Sequence, residues 1–533
     1  MSLSPAFLAK LLLLLPLSAA ALVWLPMLGR LSGRGRSAQA RTRAPNRLQD
    51  YITTGTSVIS TALTLALAAT DHKPQHFPVL FIDMDVDSLS IYFLILVGVV
   101  AMMASFYIGP YLSRHHEGKP GRQALFYSLF NLFHLTMVLV PMVSNLVILW
   151  IGIELTTITS TALIVVEGTR RHFEAAWKYI VITSTGIIFA LLGTLFLALA
   201  QSATPTHPSM AWPNLVVPIA HHFNPSLVRL SFLFVLVGYG TKAGLAPMHT
   251  WLPDAHGEAA YPVSALLSGV LLKSALYVIL RFITITNASL GNAMFTSNVM
   301  LITGLISLVF ATPLILKRSP FKRTLAYHSL EHMGIISVGI GIGGPIALFG
   351  ALLHVLNHGV TKSLMFLAYG NVQDQYPARA ASMAPGKPSR AGAEDEYVGV
   401  IRAMPATGWM LALGGLALVG SPPFSIFLSE LIILWGGVHR LIQAPGLWLT
   451  FSIAVFVTSI TMIFGGLVRH LGRMLLGEPD TCPERETARR IVPLLLLFVL
   501  VLVLGVTVPA AGLLNLQRLL DQSVHIVCGG ICR

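Results

Sequence analysis

Charged side chains are scarce in this chain. Of its 533 residues only 11% are Asp, Glu, Lys or Arg, while 54% are hydrophobic and the mean hydropathy is +0.73. A soluble globular domain carries about 25% charged residues. The composition therefore excludes a soluble globular protein and predicts a polytopic membrane protein.

Cysteine is rarer still. Cys482, Cys528 and Cys532 supply no ligand set for zinc, an iron–sulfur cluster, nickel or haem. No Walker loop is present, and the glycines between Gly339 and Gly344 lie inside an apolar run without a preceding strand, so they are no dinucleotide fingerprint. The chain is expected to hold no cofactor or metal and to have no redox centre of its own. Cys528 and Cys532 either pair with each other or remain two free thiols.

Long apolar runs dominate the chain instead. A run of about 20 residues spans a bilayer as a helix, and continuous runs favour helices over the alternating strands of a barrel. The predicted fold class is therefore all-α, a polytopic membrane protein of about fourteen helices. The spans are placed near residues 5–29, 49–69, 89–111, 123–142, 145–166, 179–200, 227–247, 259–283, 296–316, 324–343, 346–370, 404–436, 447–468 and 491–514.

Basic residues in the loops support this count, because short cytoplasmic loops are enriched in Lys and Arg. They cluster in the odd-numbered connections, and the even-numbered ones are nearly free of them. The seventh connection is the exception, because it carries Asp254 and Glu258 and no Lys or Arg. Both termini are therefore expected outside the cytoplasm, in an inner (cytoplasmic) membrane. The first span is kept as an anchor, because no basic segment precedes it and an Arg-rich loop at 30–48 follows. The net charge of +13 suits anionic lipid headgroups, so no nucleic-acid partner is expected.

Two predicted spans are interrupted by proline. The seventh contains Lys242 and Pro247, and the twelfth contains Pro422, Pro423 and Glu430. Proline removes a backbone donor and clashes with the preceding turn, so both helices are expected to break at mid-depth. Interrupted spans at matching positions indicate inverted repeats and a transport site between them. The alternative is a pair of unrelated proline kinks.

The breaks suggest a division of the chain into two halves of five helices each. The connection at 371–403 is expected to be a cytoplasmic loop rather than a domain. The expected units are the N-terminal spans one to three (1–122), a first inverted repeat of spans four to eight (123–283), a second of spans nine to thirteen (284–470), and a C-terminal loop with the fourteenth span (471–533).

Ionisable side chains inside the predicted spans point to function. A charge at the centre of a membrane helix costs roughly 2.5–3.5 kcal/mol on the insertion scale, so several in one chain are hard to explain by packing. They predict an ion or proton path through Glu154, Lys242, Lys273, Lys362 and Glu430.

The run from Gly240 to His256, Gly-Thr-Lys-Ala-Gly-Leu-Ala-Pro-Met-His-Thr-Trp-Leu-Pro-Asp-Ala-His, continues into Pro262-Val-Ser-Ala-Leu-Leu-Ser-Gly269. It resembles the signature of the antiporter-like, proton-translocating membrane subunits of respiratory complex I, which are similar to Mrp cation/proton antiporter subunits. The resemblance covers about residues 80–470. Further motifs look most like hydrogenase-4 component F, and they are Trp150-Ile-Gly-Ile-Glu154-Leu-Thr-Thr, Glu174-Ala-Ala-Trp-Lys-Tyr179, Ser329-Leu-Glu-His-Met-Gly334 and Leu356-Asn-His-Gly-Val-Thr-Lys362.

The resemblance implies roles for individual residues. Glu154 matches an acidic residue that pairs in the family with the lysine of the seventh helix, here Lys242. Lys273 matches a lysine that relays protons toward the centre, and Glu430 matches a terminal position that is Lys in some members and Glu in others. Polar and histidine links along the central axis correspond to His332, His354, His358 and Lys362.

The chemistry suits these residue types. Burial disfavours the charged form of an amine, and a neighbouring carboxylate favours it, so a Glu154–Lys242 contact could decide whether the lysine holds its proton. Histidine titrates near neutral pH and can bridge lysines.

Each assignment has a structural alternative. Lys273 could snorkel, Lys362 could form a structural salt bridge, Glu154 could be hydrogen-bonded scaffold, and any single histidine could be a satisfied interior residue. Lys178, His328 and Glu331 are weaker candidates, because they lie near predicted helix ends. His249, Asp254 and His256 could line the entrance of the path, but capping and loop packing are the expected roles.

The expected function is a proton-translocating subunit, or a sodium-translocating one, of a complex I-like or hydrogenase-4-like redox complex. Its partners would be other membrane subunits, a peripheral redox module and the lipid bilayer. The alternative is a non-redox cation/proton antiporter component, or the ion-conducting partner of a soluble protein such as an inorganic-carbon uptake system. An enzyme with its own membrane active site is disfavoured, because no catalytic constellation is seen.

Overall fold

The computed structural model describes residues 4–26, 47–70, 74–79, 82–201, 209–216, 222–376, 397–479, 485–507 and 516–528. Most of the two expected loops, at 30–48 and 371–403, lies outside these residues. The helices longer than six residues are α1 (Pro5–Leu22), α2 (Arg47–Ala68), α3 (Ser88–His115), α4 (Pro120–Leu139), α5 (Leu146–Val165), α6 (Arg170–Ala200), α7 (Pro225–Ala243), α8 (Leu252–Glu258), α9 (Tyr261–Leu290), α10 (Met294–Leu316), α11 (Phe321–Ile342), α12 (Gly344–Gln375), α13 (Pro405–Leu418), α14 (Ser425–Gln443), α15 (Leu447–Leu475), α16 (Ala488–Val506) and α17 (Leu516–Cys528).

The helical membrane fold is confirmed. Within the described residues, 12 helices are long and apolar enough to cross a membrane. Helices α11 and α12 are not among them, although they have 22 and 32 residues and coincide with the tenth and eleventh predicted spans. Both carry buried histidines together with lysine or glutamate, which lowers their apolar character. The total of fourteen spans stays a prediction.

Both expected interruptions are present. Helix α7 ends at Ala243, and Gly244 takes the left-handed conformation with φ 73° before the chain resumes as α8. Helix α13 ends at Leu418, and Gly420 has φ 68° before α14 begins. A proline follows each glycine within three residues and removes a backbone donor, which favours the end of the helix there.

At the break after α7, neighbouring groups form hydrogen bonds with backbone atoms around the helix end. The indole N–H of Trp251 donates to the carbonyl of Thr241 over 2.8 Å, and the backbone N–H of Ala246 donates to Ser307 Oγ over 3.0 Å. Irregular backbone is tolerated at membrane depth only where protein or water supplies such partners. The broken ends are therefore fixed parts of the fold.

Helices α9 and α12 form the centre of the bundle. The most apolar part of α9 is fully buried, whereas α14, α15 and α16 leave most of theirs exposed. A π-helical turn, Leu267–Leu271, interrupts α9 near its middle. Such π-bulges occur frequently at functional sites.

Three features were not expected from the sequence. A two-stranded antiparallel hairpin, β1 (Gln75–Val79) and β2 (Ile82–Val86), precedes α3. The amphipathic helix α17 follows α16, and α6 begins nine residues before its predicted start. Cys528 takes part in a disulfide, whereas Cys482 and Cys532 lie outside the described residues.

A buried ion pair anchors the hairpin to the bundle. Asp87 caps α3 by accepting from the Ser90 N–H over 2.9 Å, and its two oxygens accept from the Arg281 guanidinium over 2.7 Å each. The guanidinium also lies 3.8 Å from the centroid of the Trp212 ring. Arg281 on α9 is only 1% exposed, so it depends on this pair for its charge compensation.

Replacing Asp87 by Ala should lower the free energy of unfolding by about 3–5 kcal/mol, because the guanidinium is left buried without a counter-ion. Thermal unfolding of the detergent-purified chain measures this effect. Asp83→Ala is the matched control, since Asp83 lies exposed on the neighbouring strand. Equal midpoints for the two variants would contradict the prediction.

Candidate functional site

Lys242 lies in the last turn of α7, just before the break, and is fully buried. Its ammonium donates to Thr157 Oγ1 and to the Tyr179 hydroxyl, both over 2.7 Å, and stands 4.8 Å from the centroid of the Tyr179 ring. The Tyr179 hydroxyl also lies 2.9 Å from Ser160 Oγ. The amine thus contacts neutral hydroxyl groups that can both accept and donate a proton.

Glu154 does not contact Lys242 directly. Its Oε1 accepts from Ser184 Oγ over 2.6 Å, and its Oε2 accepts from Thr157 Oγ1 over 3.4 Å. The pair implied by the family resemblance is therefore bridged by the Thr157 hydroxyl, one helical turn from the carboxylate on α5. Sequence reasoning missed Thr157, although its i, i+3 spacing from Glu154 places both on one helix face.

Lys273 is fully buried, immediately after the π-helical turn of α9. Its ammonium donates to the carbonyl of Ser268. The Ser268 hydroxyl lies 2.8 Å from Ser329 Oγ and so connects α9 to α11. A snorkelling role does not fit, because Arg281, two turns further along the helix, is itself buried.

Lys362 lies in the middle of α12 and is also fully buried. Its ammonium donates to the carbonyl of Leu325 on α11 and stands 5.1 Å from the centroid of the Phe366 ring. It interacts electrostatically with the buried carboxylate of Glu331. No salt bridge within 4 Å joins Lys362 to a carboxylate in the part of the chain that the structure describes.

Glu331 and His328 belong to this centre, contrary to the expectation that they lie near a helix end. His328 Nδ1 and Glu331 Oε2 are 2.6 Å apart, and both side chains are buried on α11. Helix α11 starts at Phe321 rather than at residue 324, so His328 lies two turns inside it, and the burial of both side chains is what the sequence did not indicate. His328, Glu331 and His332 stand at positions i, i+3 and i+4, and this spacing could have indicated that they share one helix face.

Three histidines link α11 and α12. His332 Nδ1 and His354 Nε2 are 2.9 Å apart, so one of the two nitrogens donates to the other. The His354 Nδ1 continues to Ser429 Oγ on α14 over 2.9 Å. The ring of His358 stacks on His332 with centroids 4.5 Å apart, and both His358 nitrogens are buried without a hydrogen-bond partner in the structure.

Glu430 lies beyond the second helix break. It is 8% exposed, and its carboxylate comes within 4.8 Å of ring nitrogens of His332 and His354. It also lines a crevice of about 240 Å³ beside Phe427 and Phe464. Among the histidines and carboxylates of this cluster, Glu430 is the one that lines this crevice in the described part of the chain.

Two groups of side chains offer the ligand types of a divalent metal. They are His328 with Glu331 and His332, and His332 with His354 and Glu430, in each case with ligand atoms within 4.8 Å of one another. The short His328–Glu331 and His332–His354 hydrogen bonds already occupy one atom of each of these residues. These atoms are thus already arranged as two hydrogen-bonded pairs.

The loop candidates separate into two kinds. Asp254 lies in the first turn of α8 and accepts from Arg323 over 2.5 Å and from Lys178 over 3.4 Å, so it ties α8 to α11 and α6 but does not cap the helix. His256, by contrast, is fully buried, and both its ring nitrogens have no hydrogen-bond partner in the structure.

His256 lies within a column of rings that joins two of the lysines. Its ring stacks on Trp251 at 6.5 Å and on Phe366 at 5.3 Å between centroids. Trp251 in turn contacts Tyr179 at 4.7 Å. The column runs from Lys242 over Tyr179, Trp251, His256 and Phe366 to Lys362.

Comparison with known proteins gives consistent matches. Residues 143–462 match the family described as NADH:quinone oxidoreductase/Mrp antiporter, TM. The chain is 33% identical over 503 residues to a hydrogenase-4 component F homolog of Methylacidiphilum infernorum (isolate V4), across 92% of this chain and 97% of that protein.

Solved structures share the fold. A chain of the Mrp complex from Dietzia sp. DQ12-45-1b superposes with a TM-score of 0.77 at 18% identity, covering 99% of this chain and 97% of that one. A chain of respiratory complex I from Thermus thermophilus superposes with a TM-score of 0.76 at 18% identity, covering 98% of this chain and 100% of that one. Both are parts of multi-subunit membrane complexes.

Proposed function

Because the chain belongs to the NADH:quinone oxidoreductase/Mrp antiporter family of membrane subunits, we propose that it translocates protons as a membrane subunit of a redox-driven complex. The observation that carries this proposal is a set of buried titratable side chains between two helix breaks, from Lys242 at one to Glu430 at the other. Charged groups are expensive at membrane depth, and ones that pair with each other in the bundle interior mark ion pathways.

The proposed path has two centres. The first consists of Glu154, Thr157 and Lys242. The Thr157 hydroxyl donates to the Glu154 carboxylate and accepts from the Lys242 ammonium, so a change in the charge of the carboxylate affects the amine through this hydroxyl. The second begins at Lys362 and runs through Glu331 and the histidines to the crevice at Glu430. The sequence predicted the order Lys242, Lys273, one of His332, His354 and His358, then Lys362 and Glu430. We propose that Lys362 instead precedes the histidines, because the Glu430 carboxylate lies within 4.8 Å of ring nitrogens of His332 and His354.

The geometry of the second centre suits proton transfer. A hydrogen bond between two imidazoles, as in His332 and His354, lets a proton arrive at one ring while another leaves the far nitrogen. His354 passes it on to the Ser429 hydroxyl or to the carboxylate of Glu430. A protonated lysine repels a cation, and imidazole nitrogen suits transition metals rather than hard cations such as sodium, which prefer oxygen ligands, so this half of the path favours protons over sodium.

A sodium ion would instead require oxygen ligands. The oxygens of Glu154, Thr157 and Ser184 are the best such set, but Thr157 already accepts from the ammonium of Lys242. The proton is therefore the proposed ion. Transport measured with sodium replaced by choline, in a proton-tight vesicle, should be unchanged.

The proposed setting is an inner membrane with both termini outside the cytoplasm. The match to hydrogenase-4 and complex I subunits supports further membrane subunits and a peripheral redox module as partners, since this chain is expected to carry no redox centre. The helix breaks also support two inverted repeats at 123–283 and 284–470, with 1–122 and 471–533 as flanking units. A non-redox Mrp-like role is not favoured by these matches.

Affinity purification in mild detergent tests the redox setting. Recovery of a hydrogenase-like or dehydrogenase-like module with the chain is the expected result. A single soluble partner, or none, would contradict it and indicate transport without electron transfer. Reconstitution of the recovered complex in vesicles with a pH-sensitive dye then measures proton movement.

Thr157→Val should slow proton translocation about tenfold, which corresponds to the ~1.5 kcal/mol of one hydrogen bond to a charged group. Valine keeps the shape but removes the hydroxyl that joins Glu154 to Lys242. Thr159→Val is the matched control, because Thr159 bonds only backbone carbonyls of its own helix in the structure. Equal rates for the two variants would show that the bridge plays no part.

A further inference from the structure

A cavity of about 560 Å³ lies outside the proposed path. It is located where α10 and α12 begin and where α9, α11 and α14 end, at the side of the membrane that the loop charges predict to be non-cytoplasmic. The last two residues of α17, Val527 and Cys528, line it on one side. None of the ionisable residues of the relay lines it.

The lining combines one strong anion-binding group with an apolar wall. Arg440 and His439, near the end of α14, face Asn287 of α9, while Ile346 and Leu348 of α12 supply apolar surface. No Asp or Glu is present among the described residues that line the cavity. Arg440 donates through Nη1 to the carbonyl of Ile342, and a guanidinium has further N–H groups arranged as a fork that suits phosphate oxygens.

The mouth of the cavity lies at the apolar surface of the bundle. Met294, which lines the cavity, is 67% exposed, and Ile442, two residues after Arg440, is 72% exposed. Trp435 and Trp448 are exposed nearby on α14 and α15. Tryptophan is enriched at the membrane–water interface, so the cavity opens at headgroup depth toward the acyl chains.

We propose that this cavity binds one anionic phospholipid, with its phosphate against Arg440 and His439 and an acyl chain along α12. The charge of the lining selects an anionic headgroup over a zwitterionic one, because the cavity offers a cation and no carboxylate. The opening between exposed apolar residues selects a lipid over a free anion. This inference does not depend on the direction or identity of the transported ion.

Such a lipid would brace two helices of the relay. Helix α12 carries His354, and α14 carries Ser429, whose hydroxyl lies 2.9 Å from that histidine. Both helices line the cavity a few turns away, through Ala347 and Gly436. Occupancy would therefore hold the two helices at a fixed spacing.

The test titrates the full-length detergent-purified chain, with whatever subunits copurify, with short-chain phosphatidylglycerol. Bound lipid is counted by native mass spectrometry. Short-chain phosphatidylcholine and inorganic phosphate are the comparison ligands. Phosphatidylglycerol should bind about fivefold tighter than phosphatidylcholine, the factor for one Arg at a membrane surface. Equal affinity for the two lipids would overturn the proposal, and so would phosphate that competes at the same concentration as the lipid.

Two variants locate the site. Arg440→Gln should remove the preference for phosphatidylglycerol, and Ala293→Trp, which fills the cavity from its rim, should abolish binding without altering any charge. Arg229→Gln is the matched control, because Arg229 is exposed on α7 at the same membrane side and does not line the cavity. Unchanged lipid binding in Ala293→Trp, or loss in Arg229→Gln equal to that in Arg440→Gln, would place the lipid elsewhere.

Discussion

Lys242→Ala is expected to abolish proton translocation while the chain still inserts and assembles. Removal of the amine leaves Thr157 and Tyr179 without the group they both contact and separates Glu154 from the rest of the path. No other titratable side chain within hydrogen-bonding distance can replace it among the described contacts of Tyr179. The rate should fall by at least about a hundredfold, to the leak of empty vesicles, since a relay without one carrier has no alternative route.

The control for this variant is Lys178→Ala. Lys178 lies on α6 next to Tyr179 but is 37% exposed at its side chain and pairs with Glu174 over 2.7 Å. Exposed ion pairs contribute little, so transport should stay near the wild-type rate. Vesicles with equal amounts of each protein, checked by immunoblot, separate loss of transport from loss of insertion. Wild-type transport in Lys242→Ala would remove Lys242 from the path.

The sequence predicted the helices well because each follows from a local property, the length of an apolar run. The helix breaks were also predicted from local sequence, since a proline without a backbone donor closely follows Gly244 in one span and Gly420 in the other. Helix boundaries within polar stretches were not predictable from the sequence. The start of α11 at Phe321 follows from packing of a segment that contains Lys322, Arg323 and His328, and no hydropathy pattern marks it.

The sequence predicted many residues of the candidate site but not which of them contact each other. Sequence motifs singled out Lys242 and Glu154, whereas the hydroxyl that joins them became visible only in three dimensions. His256 was assigned to loop packing because it follows Asp254 in a polar segment. In the fold the short helix α8 turns it inward, between Trp251 and Phe366.

The two centres differ in how they are built. At the first, Lys242 is held by hydroxyl groups of α5 and α6, and the nearest carboxylate is one hydroxyl away. At the second, His328 contacts Glu331, and His332 contacts His354, which continues to the Ser429 hydroxyl of α14. A change of protonation at the first centre therefore acts through hydroxyl groups, which can reorient. The second centre can exchange protons along existing hydrogen bonds. This difference favours a gating role for the first centre and a conducting role for the second.

Glu430→Gln is expected to stop translocation at the far end of the path. Glutamine keeps the shape of the side chain beside His332 and His354 but cannot take up or release a proton. The carboxylate lines the crevice of about 240 Å³, so no other ionisable residue of the second centre reaches that space within the described lining. Proton flux should fall to the leak of empty vesicles, with the chain and its partners still copurifying.

Glu430→Asp and Glu478→Gln complete this experiment. Aspartate keeps the titratable group but withdraws it by one methylene, so a reduced and measurable flux is expected. Glu478 is exposed and pairs with Arg402 at the surface, and its amide variant should transport normally. Full flux in Glu430→Gln would mean that protons leave the histidine cluster by another side chain, and the exit would then have to be sought along Ser429 and Asn357, which contact each other over 3.3 Å.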